Sequence, residues 1–243
     1  MKNVNLIGAA ALLVSCTLMA CGDSSSGPEL SKSPEQSKEE ILAEYSVAYE
    51  FDNPANIGQD FFGKNDAQLD KGMPALQLEN DCLVLDGTSG LRVPLSDSFK
   101  SYYFAFEVRF MPTDTLPLSN IFSADPPGSG VSGWMLRLDG SELNFHIRHG
   151  SDNWTILSAG NVSLNEWHVA RVEFRVADAG GLAVEEYDLT VSLDGKVSAT
   201  KRLSADVADL KFDLGIGYDP HHQSRYEDRF FIGKIDYIRY GNR

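Results

Sequence analysis

Apolar and polar residues alternate with a period of two along most of the chain after Glu44. Residues 102–110 and 187–193 place every second side chain in an apolar register. This period is typical of a strand that buries one face, whereas an amphipathic helix repeats at about 3.6 residues. The same alternation recurs in residues 134–138, 143–147 and 168–176. We therefore predict roughly a dozen strands and no core helix.

Asp-Gly dipeptides separate several of these runs, at residues 139–140, 194–195 and 86–87. They favour tight hairpins because type I′ turns require positive φ at their central residues. A set of strands with one apolar face each is covered most simply by a second sheet. The pattern therefore predicts an all-β sandwich of antiparallel sheets.

The first twenty residues combine a basic start at Lys2, an apolar run over residues 6–14 and a small-residue site before Cys21. This apolar run is too short for a membrane span and is typical of a secretory signal. Residues 18–21, Leu-Met-Ala-Cys, resemble the bacterial lipobox. The resemblance implies lipidation of Cys21 and a place in the bacterial cell envelope, and the absence of Asp directly after Cys21 implies the outer membrane. The alternative is a soluble exported protein in which Cys21 has no special role.

Residues 22–40 are rich in Ser, Pro, Gly and charge and contain no aromatic residue. This composition is typical of a solvated spacer. We therefore divide the chain into a signal peptide (1–20), a lipidated cysteine with a flexible linker (21–43) and one domain (44–243).

The chain of 243 residues has 21 basic and 35 acidic side chains, a formal net charge of −14. Because a negative surface repels phosphates, we expect no nucleic-acid partner. Anionic lipid headgroups are repelled as well, so a lipid anchor rather than the domain surface would hold the protein at a membrane. Three cysteines are too few for a disulfide framework, and Cys82 is expected to be a buried small residue.

An ordered set of motifs resembles the laminin-G-like (concanavalin A-like) jelly roll. It includes residues 58–67 (GQDFFGKNDA), 104–110 (FAFEVRF), 166–170 (EWHVA) and 231–240 (FIGKIDYIRY). The resemblance covers nearly all of residues 45–240 and implies two curved antiparallel sheets of roughly six or seven strands each. It also implies that the first and last strands run side by side. Trp167, at the start of a strand, is expected in the core.

Oxygen-bearing side chains gather at Asp52, Asp60, Asn65 and Asp66, in turn-rich sequence. Calcium requires hard oxygen ligands of this kind. The resemblance adds Asp236, because many members of the superfamily hold a structural calcium near the pairing of the first and last strands. The same residues also suit ordinary turns and surface ion pairs, so a calcium site and a purely structural role both stay open.

The catalytic motifs of this architecture are incomplete in the chain. Laminarinase-like enzymes carry Glu-x-Asp-x-x-Glu, but Glu186 and Asp188 are followed by Val191 where the last acid belongs. Alginate-lyase-like members carry Gln-Ile-His, and Phe145 precedes His146 without the glutamine. We therefore expect no enzyme, with a divergent glycoside hydrolase or polysaccharide lyase as the second alternative.

Residues 151–154 and 218–229 mix aromatic rings with planar polar groups. Sugars present apolar CH faces and hydroxyls, which suit such a mixture. The alternative is that the tryptophan caps the sandwich and the adjacent histidines are merely exposed. The candidate ligand-binding residues are Trp154, Tyr218, Asp219, His221, His222, Arg225 and Tyr226.

Together these features predict a membrane-tethered, noncatalytic binding module whose ligand is a carbohydrate. The first alternative is a protein-protein interaction or structural lipoprotein of the envelope.

Overall fold

The computed structural model describes residues 37–101, 103–114, 117–125, 131–148, 154–177, 186–204, 210–221 and 229–241. The signal peptide, Cys21 and the candidate residues His222, Arg225 and Tyr226 lie outside these ranges. Within them, no helix has both the length and the apolar character needed to cross a membrane.

In the described part of the chain, one α-helix of five residues, α1 (Lys38–Leu42), precedes fifteen strands. The strands are β1 (Val47–Tyr49), β2 (Gln68–Leu69), β3 (Gln77–Glu79), β4 (Cys82–Asp86), β5 (Leu91–Val93), β6 (Phe104–Pro112), β7 (Ser119–Ala124), β8 (Gly133–Asp139), β9 (Glu142–Arg148), β10 (Trp154–Asn161), β11 (His168–Val176), β12 (Tyr187–Leu193), β13 (Lys196–Leu203), β14 (Leu214–Ile216) and β15 (Ile232–Gly241).

The strands form two sheets, and every pairing between them is antiparallel. The seven-stranded sheet has the order β10-β9-β8-β7-β14-β5-β2. The eight-stranded sheet has the order β13-β12-β11-β6-β15-β4-β3, with β1 paired to β15. The predicted all-β jelly-roll sandwich is thus confirmed, and its first and last strands are neighbours as the resemblance implied.

The core lies between the sheets and consists of the apolar registers of the alternating strands. Trp134 on β8 is fully buried, with the rings of Phe104, Phe106, Phe122 and Phe145 within 6.2 Å of its own. An indole at this position contributes a large buried area to the packing of both sheets.

The expected core position of Trp167 is wrong. This residue precedes β11 and is only half-buried, and the guanidinium of Arg109 lies 4.5 Å from its ring centroid. The cation over its face stabilises the indole at the surface, so Trp167 is not buried between the sheets.

A short helix lies inside the segment that we assign to the linker. Ser37 caps α1, and its side chain and that of Glu40 form a reciprocal capping box. Leu42 is fully buried against Tyr45 and Ala48. The helix therefore packs onto the domain ahead of Glu44.

Candidate ligand-binding face

The outer face of the seven-stranded sheet is the candidate site. One row of paired residues crosses all seven strands on this face, from Gln68 through Arg92, Gly215, Ser123, Met135 and His146 to Ile156. We call this surface the polar face, because most of its side chains have polar groups. Its members are Arg92, Asn120, Ser123, Met135, Arg137, Asp139, Asn144, His146, Arg148, Trp154, Ile156 and Ser158.

Much of the polar face is buried although it points away from the core. Asn120 and Ser123 have no exposed surface, and Asn144 and His146 are each 4% exposed. Ile156 on the edge strand β10 is 56% exposed, and Trp154 beside it is half-buried. A ligand can therefore approach from the β10 edge.

Trp154 begins a chain of polar contacts that runs into the face. The guanidinium of Arg148 lies 5.0 Å from the centroid of the Trp154 ring, and the ring of His146 lies 6.2 Å away. Arg148 and Arg229 are both ion-paired with Asp125, at 4.0 and 3.6 Å. The Arg148 guanidinium holds the Trp154 ring in place because it is attracted to the electron-rich face of the indole.

Asp125 forms a buried carboxyl pair with Asp219, a residue that follows β14. Asp219 is 3% exposed, and one of its oxygens accepts a hydrogen bond from the backbone N–H of His221 at 2.9 Å. Burial raises the pKa of Asp219 to about 7, and the charge of Asp125 and a side-chain hydrogen bond with it add to the increase. The pair therefore holds a proton near neutral pH.

A second polar group lies on β8 and β9. Arg137 is ion-paired with Asp139 at 2.8 Å, and Asn144 donates a hydrogen bond to Asp139 at 3.1 Å. His146 lies 3.5 Å from Asp139. Burial, followed by the charge of Arg137, lowers the pKa of His146 to about 4, so this imidazole is neutral at pH 7.

The loop after β14 covers the middle of the polar face. Gly215 makes room for it, since a Cβ at this position would lie 2.3 Å from the carbonyl oxygen of Tyr218. Tyr218 is 1% exposed and its hydroxyl donates to Asp70, which is also paired with Arg92. Its ring stacks on Phe230 at 5.7 Å. Tyr218 is therefore a support of the loop and presents no ring to a ligand.

The predicted calcium residues divide into separate groups. Asp60, Asn65 and Asp66 do lie together beside β1. Asp52 is ion-paired with Lys38 at 2.6 Å, and Asp236 is ion-paired with Arg109.

The Asp60 carboxylate does not fit a cation in this arrangement. It is fully buried and accepts hydrogen bonds from four backbone N–H groups, those of Ala48, Phe62, Lys64 and Asn65, and from the Asn65 side-chain amide. Such donors satisfy a carboxylate and oppose a positive ion at the same oxygens. Among the described residues, no group of three or more His, Cys, Asp and Glu side chains could hold a metal ion.

Glu186 and Asp188, the incomplete catalytic motif, lie on the other sheet. Both carboxylates are ion-paired with Arg202, at 3.3 and 2.9 Å. They are surface carboxylates that share one cation. Such exposed ion pairs are typical of a solvated surface and do not form a catalytic cleft.

The structure joins two of the candidate ligand-binding residues that are distant in sequence. Trp154 and Asp219 are linked through Arg148 and Asp125. His221 is half-buried, and its Nε2 lies 3.0 Å from the carbonyl oxygen of Asp213.

Sequence reasoning missed the polar residues of β8 and β9 on this face. Arg137, Asp139, Asn144 and Arg148 alternate with apolar core positions on β8 and β9, which is the usual pattern of a solvent-facing register. The outward positions of β8 and β9 did give a hint, because they hold acidic and basic side chains together with a histidine.

Comparison with known proteins places the fold among solved β-sandwich domains. Domain 4 of an extracellular GH43 arabinanase from Geobacillus stearothermophilus, in complex with arabinotriose, matches with a TM-score of 0.60 and 18% identity, over 82% of this chain and 92% of that one. The binding domain of botulinum neurotoxin DC, in complex with rat synaptotagmin II, matches with a TM-score of 0.58 and 11% identity, over 83% of this chain and 48% of that one.

The receptor-binding domain of botulinum neurotoxin D matches with a TM-score of 0.57 and 14% identity, over 84% of this chain and 50% of that one. This chain thus spans about half the length of the toxin domains. No protein-family model and no curated protein matches the sequence. The similarity establishes a shared β-sandwich fold.

Proposed function

We propose that the protein is a noncatalytic carbohydrate-binding module whose site is the polar face at the β10 edge. The observation that carries the proposal is Trp154, which lies half-buried at this edge and is in contact with Arg148 and His146. A fixed aromatic ring stacks on the CH face of a sugar, and polar side chains beside it bind the hydroxyls. The arabinotriose complex of the arabinanase domain supports this proposal.

The carboxyl groups of the face favour binding over glycoside hydrolysis. Hydrolysis by paired acids requires carboxyl groups about 5 Å apart or farther, with the sugar between them. Asp125 and Asp219 are instead hydrogen-bonded to one another and buried. A glycosidic bond therefore does not fit between these two carboxyl groups.

A glycan array followed by calorimetry tests the proposal, with Trp154→Ala as the informative variant. Loss of a stacking ring should weaken binding roughly five- to thirtyfold, because one aromatic contact contributes about 1–2 kcal/mol. Trp167→Ala is the matched control, since Trp167 also lies under an arginine but near the outer face of the other sheet. A blank array, or equal losses in both variants, would contradict the proposal and favour a protein partner.

We also propose that Cys21 is lipidated and tethers the module to the outer membrane. The support is the lipobox-like sequence at residues 18–21 together with the charge of −14, which leaves the domain no attraction to anionic lipids. Labelling of growing cells with a palmitate analogue should mark the protein, and Cys21→Ser should abolish the label. Persistence of the label in that variant would disprove the tether.

A further inference from the structure

We infer that the glycan lies lengthwise along β10, and that Ile156 is a specificity-determining residue that selects linear oligosaccharides over single sugars. This inference rests on the proposed function and specifies the ligand of that same site. It is carried by the exposure of β10 and by the side chains that share its outward register.

The accessible part of the polar face follows its edge strand. Ile156 is 56% exposed and Trp154 is half-buried, whereas Asn144, His146 and Arg148 on the neighbouring strand β9 are at most 7% exposed. A ligand that crossed the sheet would meet side chains on β9 with almost no surface to offer. Within the described part of the face, the accessible path therefore runs along β10.

The outward register of β10 provides three successive contacts. Trp154, Ile156 and Ser158 alternate with the buried residues Thr155 and Leu157. Because alternate side chains of a strand share one face, each of the three lies about 7 Å from the next, and the row spans about 14 Å. One sugar ring is too short to reach from Trp154 to Ser158. The whole row is contacted only by an oligosaccharide.

Ile156 extends the apolar platform beyond the indole. Its aliphatic side chain lies two residues from Trp154, so the two can contact the CH faces of successive sugars. Isoleucine is stiff at χ1 and loses little rotamer freedom on binding. Val197 on the edge strand β13 is similarly exposed, at 60%, but the residues two positions away are Gly195 and Ala199. Ile156 thus differs from an isolated aliphatic residue at the surface.

The far end of the row is polar. The Ser158 hydroxyl donates to the Glu142 carboxylate at 2.6 Å, and both residues are exposed. A carboxylate has about four lone-pair sites, so Glu142 can also accept from a sugar hydroxyl, and the Ser158 oxygen keeps acceptor capacity. The row therefore offers two apolar contacts followed by hydroxyl-binding groups. This order suits a linear chain of sugars, each with a CH face and hydroxyls.

The test compares ligands of increasing length on the whole protein. Calorimetry measures binding of arabinose, arabinobiose and arabinotriose, and of the mono-, di- and trisaccharide of each glycan that an array identifies. In a series that binds, we expect the trisaccharide to bind at least about tenfold more tightly than the monosaccharide, because it also contacts Ile156 and Ser158. Equal affinities within such a series overturn the inference and leave carbohydrate binding intact.

Ile156→Ser tests the second platform. We expect trisaccharide affinity to fall about four- to fifteenfold, because one or two methylene groups lose contact with the sugar, while monosaccharide affinity stays unchanged. Ile156→Leu should retain most of the trisaccharide affinity, and Trp154→Ala should lower affinity at both lengths. Val197→Ser is the matched control and should change neither. Melting temperatures of the Ile156 variants should stay close to the native value, since the side chain is largely exposed.

The outcomes separate this inference from the proposed function. Unchanged trisaccharide affinity in Ile156→Ser, or an equal loss in Val197→Ser, overturns the inference and leaves carbohydrate binding intact. A clear decrease in melting temperature in both Ile156 variants overturns it as well, since the side chain would then support the fold. Absence of any glycan binding overturns both.

Discussion

Asp60 shows how a single carboxylate can organise a loop through hydrogen bonds. Its two oxygens accept hydrogen bonds from N–H groups of β1 and of the turn over residues 62–65. The Tyr49 hydroxyl adds a bond to the Asn65 carbonyl at 2.6 Å. Charge-assisted bonds of this kind are stronger than bonds between neutral groups.

Asp60→Asn should therefore lower the free energy of unfolding by about 2–4 kcal/mol, because the new NH₂ group faces N–H donors that lose their acceptor. Urea denaturation measures the loss. Asp97→Asn is the control, since the Asp97 side chain is 98% exposed and its pair with Lys100 is a surface contact. The melting temperature of the native protein should not change with a calcium chelator, and a clear decrease would favour the predicted calcium site.

Asp219 and His146 should give the polar face opposite pH dependences. The folded pKa of Asp219, about 7, lies above its ordinary value of 3.8, so its contribution to stability is present at low pH and is lost as pH rises through 7. The folded pKa of His146, about 4, lies below 6.5, so its contribution is present above pH 6.5 and is lost as pH falls. The two slopes oppose one another between about pH 4 and 6.5.

Asp219→Asn should remove the pH dependence of stability that is due to Asp219 and keep the one that is due to His146. Relative to the native protein, the variant should gain about 1.4 kcal/mol of stability per pH unit as pH rises from about 4 to 7. Chemical denaturation at several pH values measures this difference. A constant difference across the window would mean that Asp219 ionises normally beside Asp125.

At the scale of elements, the start of the loop that follows β14 packs over the middle of the polar face. Gly215 lies beneath Tyr218 and Pro220, and Gly90 lies against the Tyr218 ring. Arg92 holds the loop from below through Asp70, which also accepts from the Tyr218 hydroxyl.

Gly215→Ala should displace this loop and weaken both stability and ligand binding. The new Cβ would lie 2.3 Å from the Tyr218 carbonyl oxygen and 2.6 Å from Pro220 Cδ, so backbone must move. We expect a loss of about 1–3 kcal/mol in stability, the usual cost of an overpacked site. Gly63→Ala is the comparison, since no atom lies within 4 Å of its Cβ and its cost is backbone strain alone. If both variants bound the ligand equally well, the loop after β14 would not contribute to the binding site.

The elements themselves were predictable where one face of a strand is apolar. The period of two gave β6, β8, β9, β11 and β12, and the turn at residues 194–195 has positive φ at both positions, 50° and 75°. Short strands such as β2 and β14 have too few residues to display a period. The buried ion pair of Arg148 was also beyond sequence, because its partner Asp125 lies on a different part of the chain.

At the scale of the whole molecule, the two outer faces differ in how their charges are arranged. On the eight-stranded sheet, Arg171 is paired with Glu107 and Glu173, and Arg239 is paired with Glu50. These pairs form an extended ladder of salt bridges across the strands, and the half-buried Trp167 lies under Arg109 near the same face. On the described part of the seven-stranded sheet, the outward polar side chains are more deeply buried, and we propose the ligand site at its β10 edge.

The N-terminal boundary of the domain gives the last prediction. A protein that starts at Ser37 should be more stable than one that starts at Glu44, because the shorter chain lacks α1 and the buried Leu42. Burial of one leucine contributes about 1.5–3 kcal/mol, and the Lys38 ion pair with Asp52 adds less than about 1 kcal/mol at the surface. Denaturation of both proteins measures the difference, and Leu42→Ala in the longer one should account for most of it. If the two proteins were equally stable, α1 would belong to the linker, and the folded domain would begin at Glu44.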